Sequence, residues 1–184
     1  GGGYTLEAEL GIIPNGRSEP DFMGWEVKQY AVNNFTRMRP SSPVTLMTPE
    51  PKFGMYANSF TNFMNEYGYP DTRGRPNRRN FRGTYRQGAS PHAKTTLSLT
   101  IEGYNGESGK ISDMGGAVTL IDPLQNIAAG WHFIDLLSHW NKKHAQAAYI
   151  PSMAQGMPRA YSYGSEVELG IGTDFLKFLA LVHR

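Results

Sequence analysis

The sequence predicts an α/β (α+β) fold, in which a mixed central β-sheet is flanked by helices. Segments with apolar residues at three- and four-residue steps, typical of helices, are interleaved with segments in which apolar and polar residues alternate, as in half-buried strands. Interleaved elements of this kind favour a sheet covered by helices. With 184 residues, 39% of them hydrophobic, the chain is large and apolar enough for a hydrophobic core. We therefore expect one domain over residues 1–184.

The first part of the chain is punctuated by Gly and Pro. Leu6 and Leu10 lie four residues apart before Gly11, which indicates a short helix that ends there. Prolines bound the next two candidate elements, since Pro does not continue regular structure. The predicted elements are a helix over residues 4–11, a loop over 13–20, strand pieces at 21–22 and 25–32, a strand at 44–48 and a helix over 53–68.

The second part carries the clearest helix pattern. Trp131, Ile134, Leu137 and Trp140 recur at three-residue steps and predict a helix over residues 130–144. A final helix needs a capping residue, which Thr173 or Asp174 supplies. The predicted elements are a strand over residues 95–104 with a sheet neighbour at 117–121, the helix over 130–144, strands within 147–151 and 159–171, and a helix over 175–182.

The composition excludes several classes of protein. The chain has no cysteine, so disulfides and thiolate metal sites are excluded. No apolar run approaches the roughly 18 residues that cross a membrane, and no signal-peptide pattern opens the chain. The chain starts with three glycines and stops inside an apolar run. We therefore expect a fragment that lacks C-terminal residues of the complete protein.

The positive charge is concentrated in one segment. Seven of the 18 Lys and Arg residues lie within residues 71–94, together with only one of the 16 Asp and Glu residues. The rest of the chain is therefore acidic on balance. A segment this rich in Arg, Gly and Pro is typical of a loop or flap, and its charge favours contact with a polyanion. A solvated loop without a partner would have the same composition.

Three ionisable residues interrupt the strand pattern near the N-terminus. Glu26 and Lys28 alternate along one predicted strand, so both side chains point to the same side, while Trp25 and Val27 point to the other side, which we expect to be the core. A bend at Gly24 would turn the Asp21 carboxylate towards Glu26. Two carboxylates about 4 Å apart repel by roughly 4 kcal/mol at an effective dielectric constant of about 20, and a divalent cation such as Mg²⁺ offsets this repulsion.

This arrangement suits metal-assisted hydrolysis of a phosphodiester. A metal ion held by Asp21 and Glu26, with the Val27 carbonyl as a further ligand, would polarise the phosphate and activate a water molecule. Lys28 would orient that water or stabilise the developing charge. A solvent-facing edge strand with an ordinary ion pair would show the same spacing, and this alternative stays open at the level of the residues alone.

The segment Pro20–Lys28, "PDFMGWEVK", resembles the PD-(D/E)xK nuclease motif. Together with the upstream segment "GGGYTLEAELGIIPNG", it is similar to the MvaI/BcnI family of type II restriction endonucleases, relatives of the mismatch-repair nickase MutH. The segment "HWNKKHAQAAYIP" is also similar to the family. The resemblance covers most of the chain, and the first 30 residues carry its distinctive part.

The resemblance implies a restriction-endonuclease-like PD-(D/E)xK core and a monomeric enzyme of the prokaryotic cytoplasm. Such an enzyme requires Mg²⁺, with Mn²⁺ as a substitute, and cuts double-stranded DNA at a short sequence to leave 5′-phosphates. By position, Asp21, Glu26 and Lys28 form the catalytic set, and Glu7 matches the additional acid of MutH-like sites. Glu9 is a neighbouring competitor of Glu7. A strand-nicking repair or defence nuclease, or a DNA-binding module that acts through a partner, are the alternatives.

DNA contacts are expected from cations and from side chains that reach base edges. The arginine-rich segment is the first candidate, the end of the long helix the second, and the segment after Pro158 the third. Helix-end stabilisation accounts equally well for the second group. The candidates are Arg73, Arg75, Arg78, Arg79, Arg82 and Arg86 in the first group, Lys142, Lys143 and His144 in the second, and Arg159, Tyr161 and Tyr163 in the third.

Overall fold

A computed structural model describes residues 1–13 and 20–183, which form two compact units. The first unit comprises residues 1–48 and 138–173, and the second comprises residues 49–137 and 174–184. The loop predicted over residues 13–20 lies almost entirely outside the described residues. No helix in the described part of the chain is both long and apolar enough to span a membrane.

The first unit is built around a four-stranded mixed sheet. Its central strand, β9 (Gln146–Gln155), pairs in parallel with the edge strand β1 (Glu26–Ala31). On its other side β9 pairs antiparallel with β10 (Ala160–Tyr163) and β11 (Glu168–Ile171). The mixed sheet and the strands predicted over residues 25–32, 147–151 and 159–171 are therefore confirmed. The strand piece predicted at residues 21–22 is wrong, because Asp21 and Phe22 belong to a turn in which Phe22 bridges only to Trp25.

Helices accompany this sheet. Helix α1 (Gly2–Glu9) contacts β1 and confirms the predicted N-terminal helix. Helix α4 (Phe133–His144) ends directly before β9. It begins later than predicted, because Trp131 and His132 belong to a strand and pair with Val118 and Ala117.

The strand predicted at residues 44–48 is wrong. These residues form no regular strand, because they have no ladder partner and lie between two prolines that cannot donate a backbone hydrogen bond. The Leu46 carbonyl is instead paired with Nε2 of His144 at 3.0 Å.

The second unit contains a three-stranded antiparallel sheet. Its strands β4 (Ser98–Glu102), β7 (Ala117–Ile121) and β8 (Ile127–His132) lie in the order β4-β7-β8. The pairing predicted between residues 95–104 and 117–121 is thus confirmed. Two short hairpins add β2 (Tyr69–Pro70) with β3 (Arg79–Asn80) and β5 (Tyr104–Asn105) with β6 (Lys110–Ile111).

The helix predicted over residues 53–68 is two helices, α2 (Met55–Asn58) and α3 (Phe60–Tyr67). Ser59 separates them in an extended conformation, and its side chain accepts a hydrogen bond from the Asn62 amide as the N-cap of α3. Phe63 and Tyr67 of α3 pack in a core with Leu97, Leu120, Ala128 and Ala129.

The final helix, α5 (Phe175–His183), confirms the prediction for residues 175–182. Asp174 is its cap, since the Leu176 amide donates to Asp174 Oδ1 at 2.8 Å. Thr173 instead donates its hydroxyl to the His144 carbonyl.

Candidate active site

Asp21 is positioned by a tight turn in the first unit. Phe22 and Trp25 exchange two backbone hydrogen bonds of 2.9 and 2.8 Å, and Met23 and Gly24 between them adopt positive φ angles of 49° and 85°. The bend expected at Gly24 is therefore present. Because the chain reverses there, Asp21 Oδ2 accepts a hydrogen bond from the Val27 amide at 3.0 Å.

This contact lies on the free edge of the sheet. Among the described residues β1 forms a strand ladder only with β9, so at Val27 its other edge is available to Asp21. The N–H and C=O groups of one strand residue point to the same edge. The Val27 carbonyl is therefore expected on the same side as the Asp21 carboxylate.

Glu26 begins β1 and is buried, with 2% of its surface exposed. Its Oε1 lies 2.7 Å from Lys28 Nζ, which confirms that these two side chains share one side of the strand. Its Oε2 lies 2.9 Å from Nζ of Lys143, in the last turn of α4. We expected the side of the strand with Trp25 and Val27 to face the core. The structure shows the reverse, since Glu26 is more buried than Trp25 or Val27.

Glu7 of α1 faces the same acids. Its pKa is raised above the usual value, first by burial and then by the negative charges of Asp21 and Glu26, while Lys28 and Lys143 act in the opposite direction. Glu7, Asp21 and Glu26 line the same cavity.

These side chains line one polar cavity of about 770 Å³. The turn, the start of β1, helix α1 and the end of α4 all contribute to its wall. The acidic and basic residues in its lining are Glu7, Asp21, Glu26, Lys28 and Lys143.

The donor set fits a cation held by two carboxylates rather than by a larger cluster. In the described residues, no three His, Cys, Asp or Glu side chains are grouped closely enough to hold a metal ion. Mg²⁺ takes one or two carboxylates and keeps several water molecules. Asp21 and Glu26 meet this requirement if Glu26 exchanges one of its ammonium partners for the cation.

Of the predicted DNA-contacting arginines, four line a second cavity of about 440 Å³ in the second unit. Asp71 lies in the same cavity and accepts a hydrogen bond from Asn80, which is the largest cause of its lowered pKa. Arg86 is exposed and lies outside this cavity. The four arginines are Arg73, Arg75, Arg78 and Arg82.

Arg79 has internal partners. Its guanidinium donates to the carbonyl of Met64, at 2.8 Å, and to the carbonyl of Gly68, both at the C-terminal end of α3. Arg79 therefore ties β3 to the C-terminal end of α3, where the Met64 carbonyl also accepts a hydrogen bond from the Gly68 amide.

The other predicted contacts differ in accessibility. Lys142 and Arg159 are exposed, whereas His144 is fully buried. Burial is the main cause that lowers the pKa of His144, whose ring packs on Trp140 with a centroid distance of 4.3 Å. Tyr161 is partly buried, and the Tyr163 hydroxyl donates to the Gly2 carbonyl at 2.8 Å. His144 thus stabilises the interior of the first unit.

The pairing of Lys143 with Glu26 is the feature that sequence reasoning missed. Lys143 is separated from Glu26 by more than one hundred residues, and no local spacing relates them. Strand β9 follows directly after α4 in the chain and pairs in parallel with β1. This pairing brings Lys143, at the end of α4, next to Glu26, at the start of β1.

Comparison with known proteins identifies the family of this chain. The sequence model of the MvaI/BcnI restriction endonuclease family matches residues 1–184. The chain belongs to the MvaI/BcnI restriction endonuclease family. As a member of this family it is a type II restriction endonuclease, a site-specific deoxyribonuclease.

A solved structure of MvaI shares the fold of this chain. The structure described as restriction endonuclease MvaI with its cognate DNA substrate has a TM-score of 0.69 and 22% sequence identity, over 97% of this chain and 67% of that chain. The structure of MvaI in the absence of DNA has a TM-score of 0.47 and 19% identity, over 88% of this chain and 66% of that chain. This chain thus spans about two thirds of the length of MvaI. No curated protein matches it.

Proposed function

We propose that this member of the MvaI/BcnI family is a Mg²⁺-dependent endonuclease that hydrolyses double-stranded DNA at a short specific sequence and leaves 5′-phosphates. The observation that carries the proposal is the single cavity lined by Glu7, Asp21, Glu26 and Lys28. Two carboxylates beside an ammonium group match the needs of metal-assisted phosphodiester hydrolysis. We further propose that the enzyme is a monomer of the prokaryotic cytoplasm, like the family it resembles.

Asp21, Glu26 and the Val27 carbonyl would hold the cation, which is Mg²⁺ or, as a substitute, Mn²⁺. A bound divalent cation supplies Lewis-acid polarisation of the phosphate and lowers the pKa of a coordinated water molecule. The hydrogen bond from the Val27 amide holds the Asp21 carboxylate towards the free edge of β1 before any ligand arrives. Preorganisation of this kind reduces the rearrangement required during the reaction.

Lys28 has two tasks in this proposal. Its ammonium group orients Glu26 through the 2.7 Å ion pair, and its position on the cavity wall lets it hold the attacking water or the developing negative charge. Glu7 adds a third acid whose raised pKa suits it to accept or release a proton near the phosphate. Each role depends on groups that already face one cavity.

DNA binding would rely on the four arginines of the second cavity, with Arg86, Lys142 and Arg159 as further exposed cations. Cations that meet phosphates supply most of the affinity but little sequence information. Arg159 is the predicted base-reading residue whose side chain is most accessible, because Tyr161 and Tyr163 are partly buried. The identity of the bases follows from mapping of the cut ends.

The first experiment is digestion of a plasmid of known sequence with Mg²⁺, Mn²⁺ or Ca²⁺. We expect discrete linear fragments with Mg²⁺, and sequenced ends that carry 5′-phosphates at one recurring motif. The Lys28→Met variant should cut on the order of 10²- to 10⁴-fold more slowly and still bind duplex DNA. Lys110→Met, which changes an exposed lysine of the second unit, is the matched control and should cut normally.

Three results would contradict parts of this proposal. Plasmid left intact with every metal would count against the nuclease assignment. Open-circular product alone would favour the strand-nicking alternative. Salt-sensitive DNA binding without binding of Mg²⁺ or Ca²⁺ would favour a DNA-binding module.

A further inference from the structure

The buried carboxylate of Glu26 has two positive partners. Lys28 Nζ lies 2.7 Å from Oε1 and Lys143 Nζ lies 2.9 Å from Oε2, while only 3% of the Glu26 side chain is exposed. Both carboxylate oxygens are therefore engaged by ammonium groups. A buried carboxylate is costly unless it is paired, and these two contacts supply that pairing.

One ammonium would suffice to neutralise Glu26. The second ammonium lowers the negative charge of a cavity whose other acids are Glu7 and Asp21. A site that must attract a divalent cation needs negative charge, so Lys143 opposes metal binding while it occupies Oε2. The two requirements conflict unless Lys143 can leave.

We propose that Lys143 is a positioning residue, a removable counter-ion that holds Glu26 Oε2 until a divalent cation takes its place. This inference rests on the proposed function, in which Asp21 and Glu26 hold the metal. In the metal-free enzyme Lys143 holds the Glu26 carboxylate in place through this ion pair. Movement of the Lys143 ammonium away from Glu26 would leave Oε2 free to hold the cation.

The two lysines differ in the element that carries them and in their proposed role. Lys28 is on the same strand as Glu26, two residues away, and its backbone is fixed by the parallel pairing with Tyr149. Lys143 comes from the last turn of α4. Their side chains are equally exposed, at 19% and 20%, and both line the cavity, but only Lys28 has a proposed role at the phosphate, which leaves Lys143 as the ammonium that can be displaced. The four-carbon stem of Lys lets the ammonium swing without movement of the helix. The released ammonium would still face the cavity, where a DNA phosphate is expected.

The test measures metal binding and stability rather than cleavage. The protein is unfolded by heat at increasing concentrations of Ca²⁺ or Mg²⁺, which yields a dissociation constant from the ligand-induced rise in Tm. In Lys143→Met, we expect the metal-free Tm to fall by a few degrees, because Glu26 loses a partner. The metal dissociation constant should fall by about tenfold or more, because a like charge is removed within a few ångströms of the cation.

Two further variants separate charge from side-chain size. Lys143→Arg keeps the positive charge and should retain most of the metal-free Tm. Lys142→Met removes the neighbouring exposed lysine and should change neither the metal-free Tm nor the metal affinity.

Each of the following outcomes would contradict the inference. An unchanged metal affinity with a lower metal-free Tm would make Lys143 a structural ion-pair partner only. An unchanged Tm and metal affinity, with weaker DNA binding, would make it a phosphate contact only. If Asp21→Asn and Glu26→Gln weaken metal binding while Lys143→Met does not strengthen it, this inference fails and the proposed function stands. If the wild-type protein binds no divalent cation, both fail.

Discussion

At the scale of single residues, the cavity of the first unit contains like charges whose interaction is unfavourable. Glu7, Asp21 and Glu26 repel each other, and two lysines compensate only part of this repulsion. A folded protein keeps such a conflict when the surrounding structure fixes the groups, as the turn fixes Asp21 and the sheet fixes Glu26. The expected consequence is a site that is more stable with a cation than without one.

Glu7→Gln tests this conflict directly. The pKa of Glu7 is raised in the folded protein, so its contribution to stability is present below pH 4.5 and is lost as the pH rises through the folded pKa. We therefore expect Glu7→Gln to raise the metal-free Tm at pH 7.5 and to have little effect at pH 4. Thermal unfolding at both pH values checks this.

Glu9→Gln is the control for this variant, because Glu9 is an exposed acid on the same helix. It should leave the Tm nearly unchanged at both pH values. A lower Tm for Glu7→Gln at pH 7.5 would mean that Glu7 is stabilised by its surroundings, against the reasoning from repulsion.

At the scale of elements, one arginine of the basic segment has a different role from its neighbours. Arg79 in β3 binds two carbonyls at the end of α3, whereas Arg82 is exposed three residues later. The hairpin of β2 and β3 places Arg79 beside this helix end, since Tyr69 pairs with Asn80 and Pro70 with Arg79. The segment therefore contains both a structural arginine and arginines that are available to DNA.

A matched pair of variants separates these roles. Arg79→Met should lower the free energy of unfolding by about 1 to 2 kcal/mol, because two carbonyls lose a charged donor. Arg82→Met should leave stability unchanged and weaken DNA binding. Urea denaturation and fluorescence anisotropy with a labelled duplex measure the two effects. A reversed pattern would show that Arg79 contacts DNA and that its bonds to α3 contribute little.

At the scale of the whole molecule, the distribution of charge matters more than its sum. The formal net charge is only +2, yet the segment of residues 71–94 is strongly basic and the remainder is acidic on balance. An acidic remainder repels DNA, so the orientation of an approaching duplex is set by the basic segment. Binding should consequently depend steeply on salt.

The salt dependence gives a count of phosphate contacts. In a triple variant with Arg73, Arg75 and Arg78 changed to Gln, the slope of log K against log salt concentration should become less steep by roughly 2 to 3, about 0.9 for each lost contact. Anisotropy titrations between low and moderate salt measure this slope. The double variant Lys110→Gln and Lys177→Gln, which changes two exposed lysines elsewhere, should leave it unchanged. An unaltered slope in the triple variant would make the segment a solvated loop.

The family and the outline of the fold could be predicted from the sequence because they depend on local patterns. Alternation over residues 95–104, the helix spacing after residue 133 and the Asp21, Glu26 and Lys28 spacing are each contained within a few consecutive residues. The same holds for the cap at Asp174, which acts on the amide two residues later. Features that depend on interactions between neighbouring residues can be predicted from short segments of the sequence.

The features that were not predicted depend on pairing between residues that are far apart in the sequence. The strand expected at residues 44–48 found no partner, and Trp131 and His132 joined β8 because β7 offered backbone groups to pair with. Lys143 and His144, read locally as cations at a helix end, became a counter-ion of Glu26 and a buried partner of Leu46. No local pattern encodes these outcomes, since they arise when β9 aligns with β1 and carries the end of α4 to the acids.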